Sequence, residues 1–532
     1  MPSVRDVTFE FLRQQGMTTI FGNPGSTELP MLADFPSDFR YVLGLQEASV
    51  VGMADGYAQA SGKPTLVNLH TAPGVGNAVG AIFNAQANKS PLVITAGNQV
   101  RGLMTLQANL TNRDATVVPQ PYVKWSYEPP RAEDVPHAIA RATYLSALAP
   151  VGPTFVSIPM DDWDVEIDGV DAAHQTTRAV GGGAGASPAA IADLAAALTG
   201  ASNAVLVIGP DVDASGAWDA GVALAERLGL PVWATPAPGG GRIGFPESHP
   251  HFRGVLPPAI GPVGETLKEH DLVVVLGSSV FPYYPNIAGP LLGENTRLIA
   301  VTSDPDEASR APMGDAIVAD VKTTLEALLA ELGEGSAPAI EGWPKAPPAE
   351  PSDPISAGGA IDALADVWPD GGIVVLEAPS ATLAVRNRIR ASRPGSYYFG
   401  AGGGLGFGLS AAIGVQMAQP DRPVVCIVGE GSAQYAIQAF WSAVAYDVPV
   451  TFLVLRNEEY AILKWFASIE QVTGAPGLDL PKLDVAGVAA GYGVETARAG
   501  DQADLREKLR AALASPKPSL VEVAVQPGMS IF

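Results

Sequence analysis

A carboxylate and a carboxamide stand at the ends of two successive apolar runs. Val424-Val-Cys-Ile-Val428 leads into Gly429-Glu430-Gly431-Ser432, and Val450-Thr-Phe-Leu-Val-Leu455 ends in Arg456-Asn457. If both runs are parallel strands joined by one crossover, Glu430 and Asn457 lie together at their C-terminal ends. Oxygen donors of these types suit Mg²⁺ or Ca²⁺ bridging the protein to a phosphate group. Gly429 and Gly431 let the backbone approach that phosphate, and Ser432 stands at a helix N-terminus. Gly-x-Gly after a strand is common, so the motif alone names no ligand.

Three groups near the N-terminus could add proton chemistry. Phe21-Gly-Asn-Pro-Gly-Ser26 follows a strand and forces a tight turn that aims backbone N–H groups and the Ser26 hydroxyl at a ligand, with a plain turn as the alternative. Glu47 lies between Leu45 and the run Ala48-Ser-Val-Val-Gly-Met53, so it starts a helix packed into a core. A desolvated carboxyl group without a cation tends to keep its proton and suits exchange with a heterocycle. An exposed Glu47 that merely caps the helix is the competing reading. His70 ends the strand Thr65 to Leu69, at the sheet edge where α/β proteins bind ligands, and a structural imidazole is its alternative. His137, His174, His249, His251 and His270 show no metal-binding spacing.

Positioning such groups takes parallel α/β layers, and the chain has their pattern three times. Short β-branched runs ending in Gly or Pro alternate with Ala-rich stretches of helical length. In the first third, Thr18 to Phe21, Tyr41 to Leu43, Thr65 to Leu69, Pro91 to Thr95 and Gly152 to Ile158 read as strands, with a helix over Glu47 to Ala60. A small-residue linker, Thr177 to Ser187, and a Pro/Ala/Gly/Glu-rich stretch, Gly333 to Pro354, separate the three blocks. The first and third blocks share length and rhythm, which predicts two related α/β domains flanking a middle one.

Composition agrees with that architecture. The 532 residues correspond to roughly three to four domains, and 47% apolar against 16% charged residues exclude a disordered chain. Lys plus Arg total 32 against 55 Asp plus Glu, a net charge of −23 that argues against nucleic-acid and membrane partners. The single cysteine, Cys426, excludes an intrachain disulfide and predicts a reducing, cytoplasmic location. No export signal is read at the N-terminus, and no apolar run reaches the ~20 residues of a bilayer span.

Gly22-Asn-Pro-Gly-Ser26, Gln46-Glu47, His70, Gly402-Gly-Gly-Leu-Gly-Phe407 and the Gly-acid-Gly block ending at Asn457 together resemble the thiamine-diphosphate-dependent 2-oxo acid decarboxylases. Asp55 to Ser61, Lys124 to Pro129, Ala311 to Asp320 and Gly395 to Phe399 extend the resemblance over nearly the whole chain. It implies three doubly wound parallel-sheet domains: pyrimidine-binding over 1–184, middle over 185–345, and diphosphate-binding over 346–532. It also implies a homotetramer, a dimer of dimers, with sites between the first domain of one subunit and the third of another. The implied cofactors are thiamine diphosphate and Mg²⁺ or Ca²⁺. The implied substrate is a small 2-oxo acid, foremost an aromatic one such as benzoylformate, split into aldehyde and carbon dioxide with carboligation as a side activity.

By the same resemblance Glu47 hydrogen-bonds the aminopyrimidine ring, Leu405 keeps the cofactor bent, and Glu430, Asn457 and the backbone oxygen of Glu459 ligate the metal. Asn23, Pro24, Gly25, Pro379, Ser380, Gly403, Gly429, Gly431, Ser432, Tyr435, Tyr460, Ala461 and Ile462 complete the cofactor cradle. Ser26 binds the substrate carboxylate or carbonyl, His70 assists proton transfers, and Leu110, Tyr284, Phe399, Leu463 and Phe466 line the substrate pocket. The chain departs from the family at several of these positions. Glu430 replaces the usual Asp and Arg456 the usual Asn, which leaves the added guanidinium free to pair with a nearby anion. Tyr284 stands where members acting on benzoylformate carry a second histidine, while Pro379 and Ile462 alter the cofactor and substrate contacts. A synthase of acetolactate-synthase type, a decarboxylase of aliphatic acids and an inactive scaffold are the alternatives. Retention of Ser26, Glu47 and His70 together argues against the last.

Overall fold

The structure is a computed structural model that describes every residue except 237–240, 282–283, 339 and 530–532. The three apolar blocks fold into three six-stranded sheets. The first contains β1 (Thr19–Gly22), β2 (Arg40–Leu43), β3 (Thr65–Leu69), β4 (Leu92–Asn98), β5 (Ser126–Tyr127) and β6 (Thr154–Pro159) in the order β2-β1-β3-β4-β6-β5. The second contains β7 (Ala204–Ile208), β8 (Val232–Ala234), β9 (Phe252–Val255), β10 (Leu272–Leu276), β11 (Arg297–Thr302) and β12 (Asp315–Val318) in the order β12-β11-β10-β7-β8-β9. The third contains β13 (Ile373–Glu377), β14 (Tyr397–Phe399), β15 (Val424–Gly429), β16 (Thr451–Arg456), β17 (Glu495–Ala499) and β18 (Ser519–Ala524) in the order β14-β13-β15-β16-β18-β17. The pairings are parallel throughout. Central strands such as β7, β10 and β13 are buried along their whole length, because helices cover both faces.

The first and third sheets share one strand order, as their common rhythm predicts, and the middle sheet differs. In an open parallel sheet the ligand crevice lies where the strand order reverses. That point falls between β1 and β3 in the first sheet and between β13 and β15 in the third. The segments leaving these strands are Asn23 to Ser26 and His70, then Pro379-Ser380 and Gly429 to Ser432. Topology alone therefore gathers the sequence motifs at two sheet edges.

One expectation is corrected in detail. The helix-like stretch expected to follow Ser432 as far as Ala445 is instead two helices, Glu430–Ala433 and Ala439–Ala445. Between them the chain winds tightly through i→i+3 bonds, Gln434 N–H to Gly431 C=O at 3.3 Å and Ala436 N–H to Ala433 C=O at 3.3 Å. The break leaves the Tyr435 ring more than half exposed.

Close helix packing joins the first and third domains. The Glu47–Ser61 helix crosses the Phe407–Ala418 helix at glycines: a Cβ on Gly414 would lie 1.9 Å from Met53 O, and one on Gly56 would lie 2.2 Å from Ala411 O. Backbone cannot yield like a side-chain tip, so Gly414→Ala is expected to destabilise the chain by ~1–3 kcal/mol. A lowered denaturation midpoint checks this, and an unchanged midpoint would show that the helices are free to separate. Buried ion pairs tie in the middle domain: Arg386 meets Glu247 at 2.6 Å, and Lys89 meets Asp211 at 2.6 Å and Glu307 at 3.0 Å. No described helix is long and apolar enough to cross a membrane.

Candidate active site

At the first sheet edge, Glu47 is the first residue of its helix, and Gln46 caps that helix by accepting the Ser49 N–H at 3.1 Å. The Glu47 side chain is 9% exposed, so it does not cap the helix from solvent. Its carboxylate accepts hydrogen bonds from Asn23 Nδ2 at 3.3 Å and Asn77 Nδ2 at 3.0 Å. Asn23 comes from the turn after β1 and Asn77 from the Thr71–Ala87 helix, so two elements aim one carboxylate.

His70 sits between β3 and that helix, and its imidazole has a partner the sequence reading missed. His70 Nδ1 lies 2.8 Å from Glu28 Oε2, and Glu28 is 1% exposed. The Glu28 carboxylate also accepts the N–H groups of Gly25 and Gly97, each at 2.8 Å, and the Thr27 hydroxyl at 2.7 Å. A carboxylate so placed accepts from Nδ1–H, which fixes the tautomer and leaves Nε2 as the free ring nitrogen. The only sequence signal for Glu28 was an acid two residues beyond Ser26, where Leu29-Pro30 reads as an exposed helix start. Glu28→Gln keeps the shape, removes the charge and one of the two acceptor oxygens, and is expected to lower kcat ~10–100-fold with little change in fold. Steady-state kinetics beside a melting curve checks it, and wild-type kcat would remove Glu28 from the site.

The neighbouring backbone is strained. Thr71 has φ +38°, an uncommon conformation for a β-branched residue, and its buried hydroxyl has no hydrogen-bond partner among the described residues. Ser26 is exposed at the turn, while Asn23, Pro24, Gly25 and His70 are half-buried. Leu110, half-buried in the following loop, also has positive φ, at +69°.

At the third sheet edge, Glu430 and Asn457 meet as the crossover predicts. Glu430 Oε1 accepts the backbone N–H groups of Asn457 at 3.1 Å and Glu458 at 2.6 Å, and Asn457 Oδ1 accepts the Glu459 N–H at 3.2 Å. Burial pushes the Glu430 carboxyl above its usual range, and these N–H bonds pull the other way. Arg456, the added cation, reaches protein carboxylates: its Nη1 lies 2.5 Å from Glu458 Oε1 and its Nε 3.6 Å from Glu522 Oε1. The Glu459 side chain pairs with Lys464 and accepts the Gly528 N–H at 2.5 Å.

Other residues expected to line a cofactor cradle lie on further elements of the third domain. Gly431 is sterically required, since a Cβ there would lie 2.7 Å from both Leu480 and Tyr460. Ser432 is buried in the short helix that Glu430 opens. Pro379 and Ser380 begin a 3₁₀ turn directly after β13. Leu405 lies half-buried between the half-buried Gly404 and Gly406, and the N–H groups of Gly406, Phe407 and Gly408 donate to Glu377 at 2.7, 3.0 and 3.0 Å. Burial lifts the Glu377 carboxyl to about 7 despite those three bonds. Ala461, Ile462, Leu463 and Phe466 lie on the Ala461–Ile469 helix, and Leu463 is 46% exposed. Tyr284 arrives from the middle domain with its ring 4.8 Å from that of Phe466, whereas Pro282 and Tyr283 of the same loop lie outside the described residues. Phe399 is fixed by its N–H bond to Gly241 C=O at 2.9 Å.

The structure thus gathers most of the sequence-predicted residues at two sheet edges, with Tyr284 reaching Phe466 from the middle domain. The chemistry of the donors suits a cofactor with two unlike ends. Carboxylate, amide and carbonyl oxygens beside a glycine-lined helix start suit a cation on a diphosphate. A buried carboxylate held by two amides suits a polar ring.

Comparison with known proteins gives the same division. The profile of the thiamine pyrophosphate enzyme N-terminal TPP binding domain matches residues 2–115, that of the central domain 191–328, and that of the C-terminal TPP binding domain 380–523. The chain is 48% identical over 528 residues to benzoylformate decarboxylase of Pseudomonas aeruginosa, covering 99% of both chains. It is 28% identical to the large subunit of acetolactate synthase isozyme 1 of Escherichia coli, covering 98% of this chain and 94% of that one. The structure of the thiamine diphosphate-dependent 4-hydroxybenzoylformate decarboxylase of Rhodococcus jostii RHA1 superposes with a TM-score of 0.96 at 44% identity, covering 99% of this chain and all of that one. Benzoylformate decarboxylase of Polynucleobacter necessarius superposes with a TM-score of 0.97 at 39% identity, covering the whole of both chains. The chain belongs to the thiamine pyrophosphate enzymes, in their benzoylformate decarboxylase family of carboxy-lyases.

Proposed function

We propose that this enzyme decarboxylates an aromatic 2-oxo acid of the benzoylformate type to the aldehyde and carbon dioxide, with carboligation of aldehydes as a side reaction. The observation that carries the aromatic assignment is the wall beside the diphosphate motif. The Tyr284 and Phe466 rings meet at 4.8 Å with Leu463 on the same helix, while the neighbouring cations Lys464 and Arg456 are paired to Glu459, Asp479 and Glu458. An apolar side chain finds contact there, and no described cation of this group is left for a charged one. Leu110 and Phe399 extend the apolar lining.

Thiamine diphosphate, when bound, supplies the electron sink for the bond to the departing carboxylate. Mg²⁺ or Ca²⁺ would be held by Glu430, Asn457 and the Glu459 carbonyl, and the diphosphate by Gly429, Gly431 and Ser432. Asn23, Pro24, Gly25, Pro379, Ser380, Gly403, Leu405, Tyr435, Tyr460, Ala461 and Ile462 complete the cradle. Glu47 holds the proton exchanged with the cofactor ring. Ser26 orients the substrate carboxylate or carbonyl. His70, with Nδ1 committed to Glu28, moves a proton through Nε2.

We assign the enzyme as a homotetramer built from two dimers, with a second copy closing the site. The domain limits 1–184, 185–345 and 346–532 follow the three sheets, and the lone buried thiol of Cys426 fits a cytoplasmic enzyme.

The test is release of carbon dioxide and aldehyde from a panel of 2-oxo acids, with and without thiamine diphosphate and Mg²⁺. Cofactor-dependent benzaldehyde from benzoylformate is the expected outcome. Turnover of aliphatic acids alone would overturn the aromatic assignment, and absence of turnover with bound cofactor would overturn the decarboxylase. In the same assay Ile462→Ala is expected to raise kcat/KM for bulkier aryl substrates up to ~10-fold by enlarging the pocket. An unchanged profile would place Ile462 outside it.

A further inference from the structure

Leu405 sits in a run that cannot hold its own shape. Gly402, Gly403, Gly404 and Gly406 surround it, and Gly403 and Gly406 have φ of +74° and +101°. Glu377 fixes the C-terminal side of the run through the N–H groups of Gly406 to Gly408. The N-terminal side is fixed from another domain.

Asn84, on the Thr71–Ala87 helix, donates from Nδ2 to Gly404 C=O at 2.8 Å and accepts the Gly404 N–H on Oδ1 at 3.0 Å. One 4%-exposed carboxamide thus satisfies both backbone groups of one glycine, as a neighbouring strand would. The fit admits only glycine: a Cβ on Gly402 would lie 2.6 Å from Asn84 Oδ1, and one on Gly404 would lie 2.9 Å from it. Asn88, four residues later, accepts the Ala401 N–H at 2.9 Å. Its amide cannot turn over, because Nδ2 donates to the buried Asp55 at 2.7 Å. The next residue, Lys89, is anchored to Asp211 at 2.6 Å and Glu307 at 3.0 Å in the middle domain. The segment from Asn84 to Lys89 is therefore rigidly placed against all three domains.

We infer that Asn84, supported by Asn88 and its Asp55 partner, is a positioning residue that sets the height of the Gly402 to Leu405 loop, and through Leu405 the bend of the bound cofactor. This rests on the reading that thiamine diphosphate lies against Leu405. Asn84 touches neither cofactor nor substrate in this role. It acts by removing the freedom of a glycine run whose one side chain must stay in place. The same helix carries Asn77, the partner of Glu47, so one rigid element serves the acid of one site and the bending loop of another.

On that reading a bent cofactor would exchange its thiazolium C2 proton through its own amino group, so exchange of that proton for deuterium in the loaded enzyme would report the bend without substrate. Apo-enzyme is reloaded with thiamine diphosphate and Mg²⁺, and exchange is followed by acid quench and proton NMR beside cofactor affinity and the melting temperature. Asn84→Ala is expected to slow exchange ~10²-fold, the scale of an ångström-sized misplacement, while affinity and melting temperature stay near wild type. Asn84→Asp keeps the acceptor for the Gly404 N–H but sets its second oxygen against Gly404 C=O, so it is expected to slow exchange as well. That variant, nearly isosteric, carries the test if Asn84→Ala does not fold. Wild-type exchange in the folded variant, or a parallel fall of exchange, affinity and stability, would overturn the proposal. A Leu405→Ala variant with wild-type exchange would bring down the cofactor reading and this proposal with it. Slowed exchange in Leu405→Ala beside wild-type exchange in the Asn84 variants would overturn the clamp alone.

Discussion

Glu47→Gln is expected to lower kcat for decarboxylation by ~10³-fold, within the range for loss of a positioned proton-transfer group, while thiamine diphosphate still binds. The carboxylate is buried at the first sheet edge and held by Asn23 at 3.3 Å and Asn77 at 3.0 Å, so its replacement changes little in packing. Glutamine keeps one acceptor oxygen, which preserves much of that geometry, but it does not take up and return a proton at neutral pH. On the proposed reading the diphosphate end binds at the other sheet edge. The informative measurement is therefore a pair: kcat from aldehyde release, and cofactor affinity from titration of apo-enzyme. Loss of rate with retained affinity assigns Glu47 to proton exchange. Retention of most activity would remove it from that role.

Glu430→Gln is expected to weaken thiamine diphosphate binding by at least ~10²-fold at low Mg²⁺, the scale of a damaged metal site. The amide oxygen still accepts the N–H groups of Asn457 and Glu458, at 3.1 and 2.6 Å in the wild type, so the turn is kept and the lost quantity is charge. Raising Mg²⁺ should recover part of the affinity. Titration of apo-enzyme at several Mg²⁺ concentrations, beside a melting curve, separates this from collapse of the loop. Affinity independent of both Mg²⁺ and the substitution would mean that Glu430 is a turn-forming residue only.

These two residues differ in how they could be found. Glu430 and Asn457 were legible because a strand, a glycine turn and a crossover obey topological rules that hold without knowing side-chain contacts. Glu47 was legible as a helix start, yet its burial was one of two readings until Asn23 and Asn77 were seen to flank it. Glu28 was not legible. Its partner Gly97 lies 69 positions away and approaches so closely that a Cβ would stand 2.4 Å from Glu28 Oε1. Asn84 was not legible either, since a polar residue on a helix reads as solvent-facing and its partner Gly404 is 320 positions distant. The interrupted helix at residues 434–438 escaped because Ala436-Ile-Gln-Ala-Phe440 has ordinary helical composition.

By itself, then, the sequence determined the three parallel sheets, the two edges where ligands collect and the residue types placed there. Periodicity and glycine placement are local properties, and the handedness of parallel crossovers converts them into position. Only the tertiary structure decided which carboxylate orients His70, where Arg456 points, how Tyr284 meets Phe466 and what steadies the glycine run before Leu405. Each of those outcomes depends on hydrogen bonds or contacts effective over a few ångströms between residues far apart in the chain. No pattern read along the chain contains such distances.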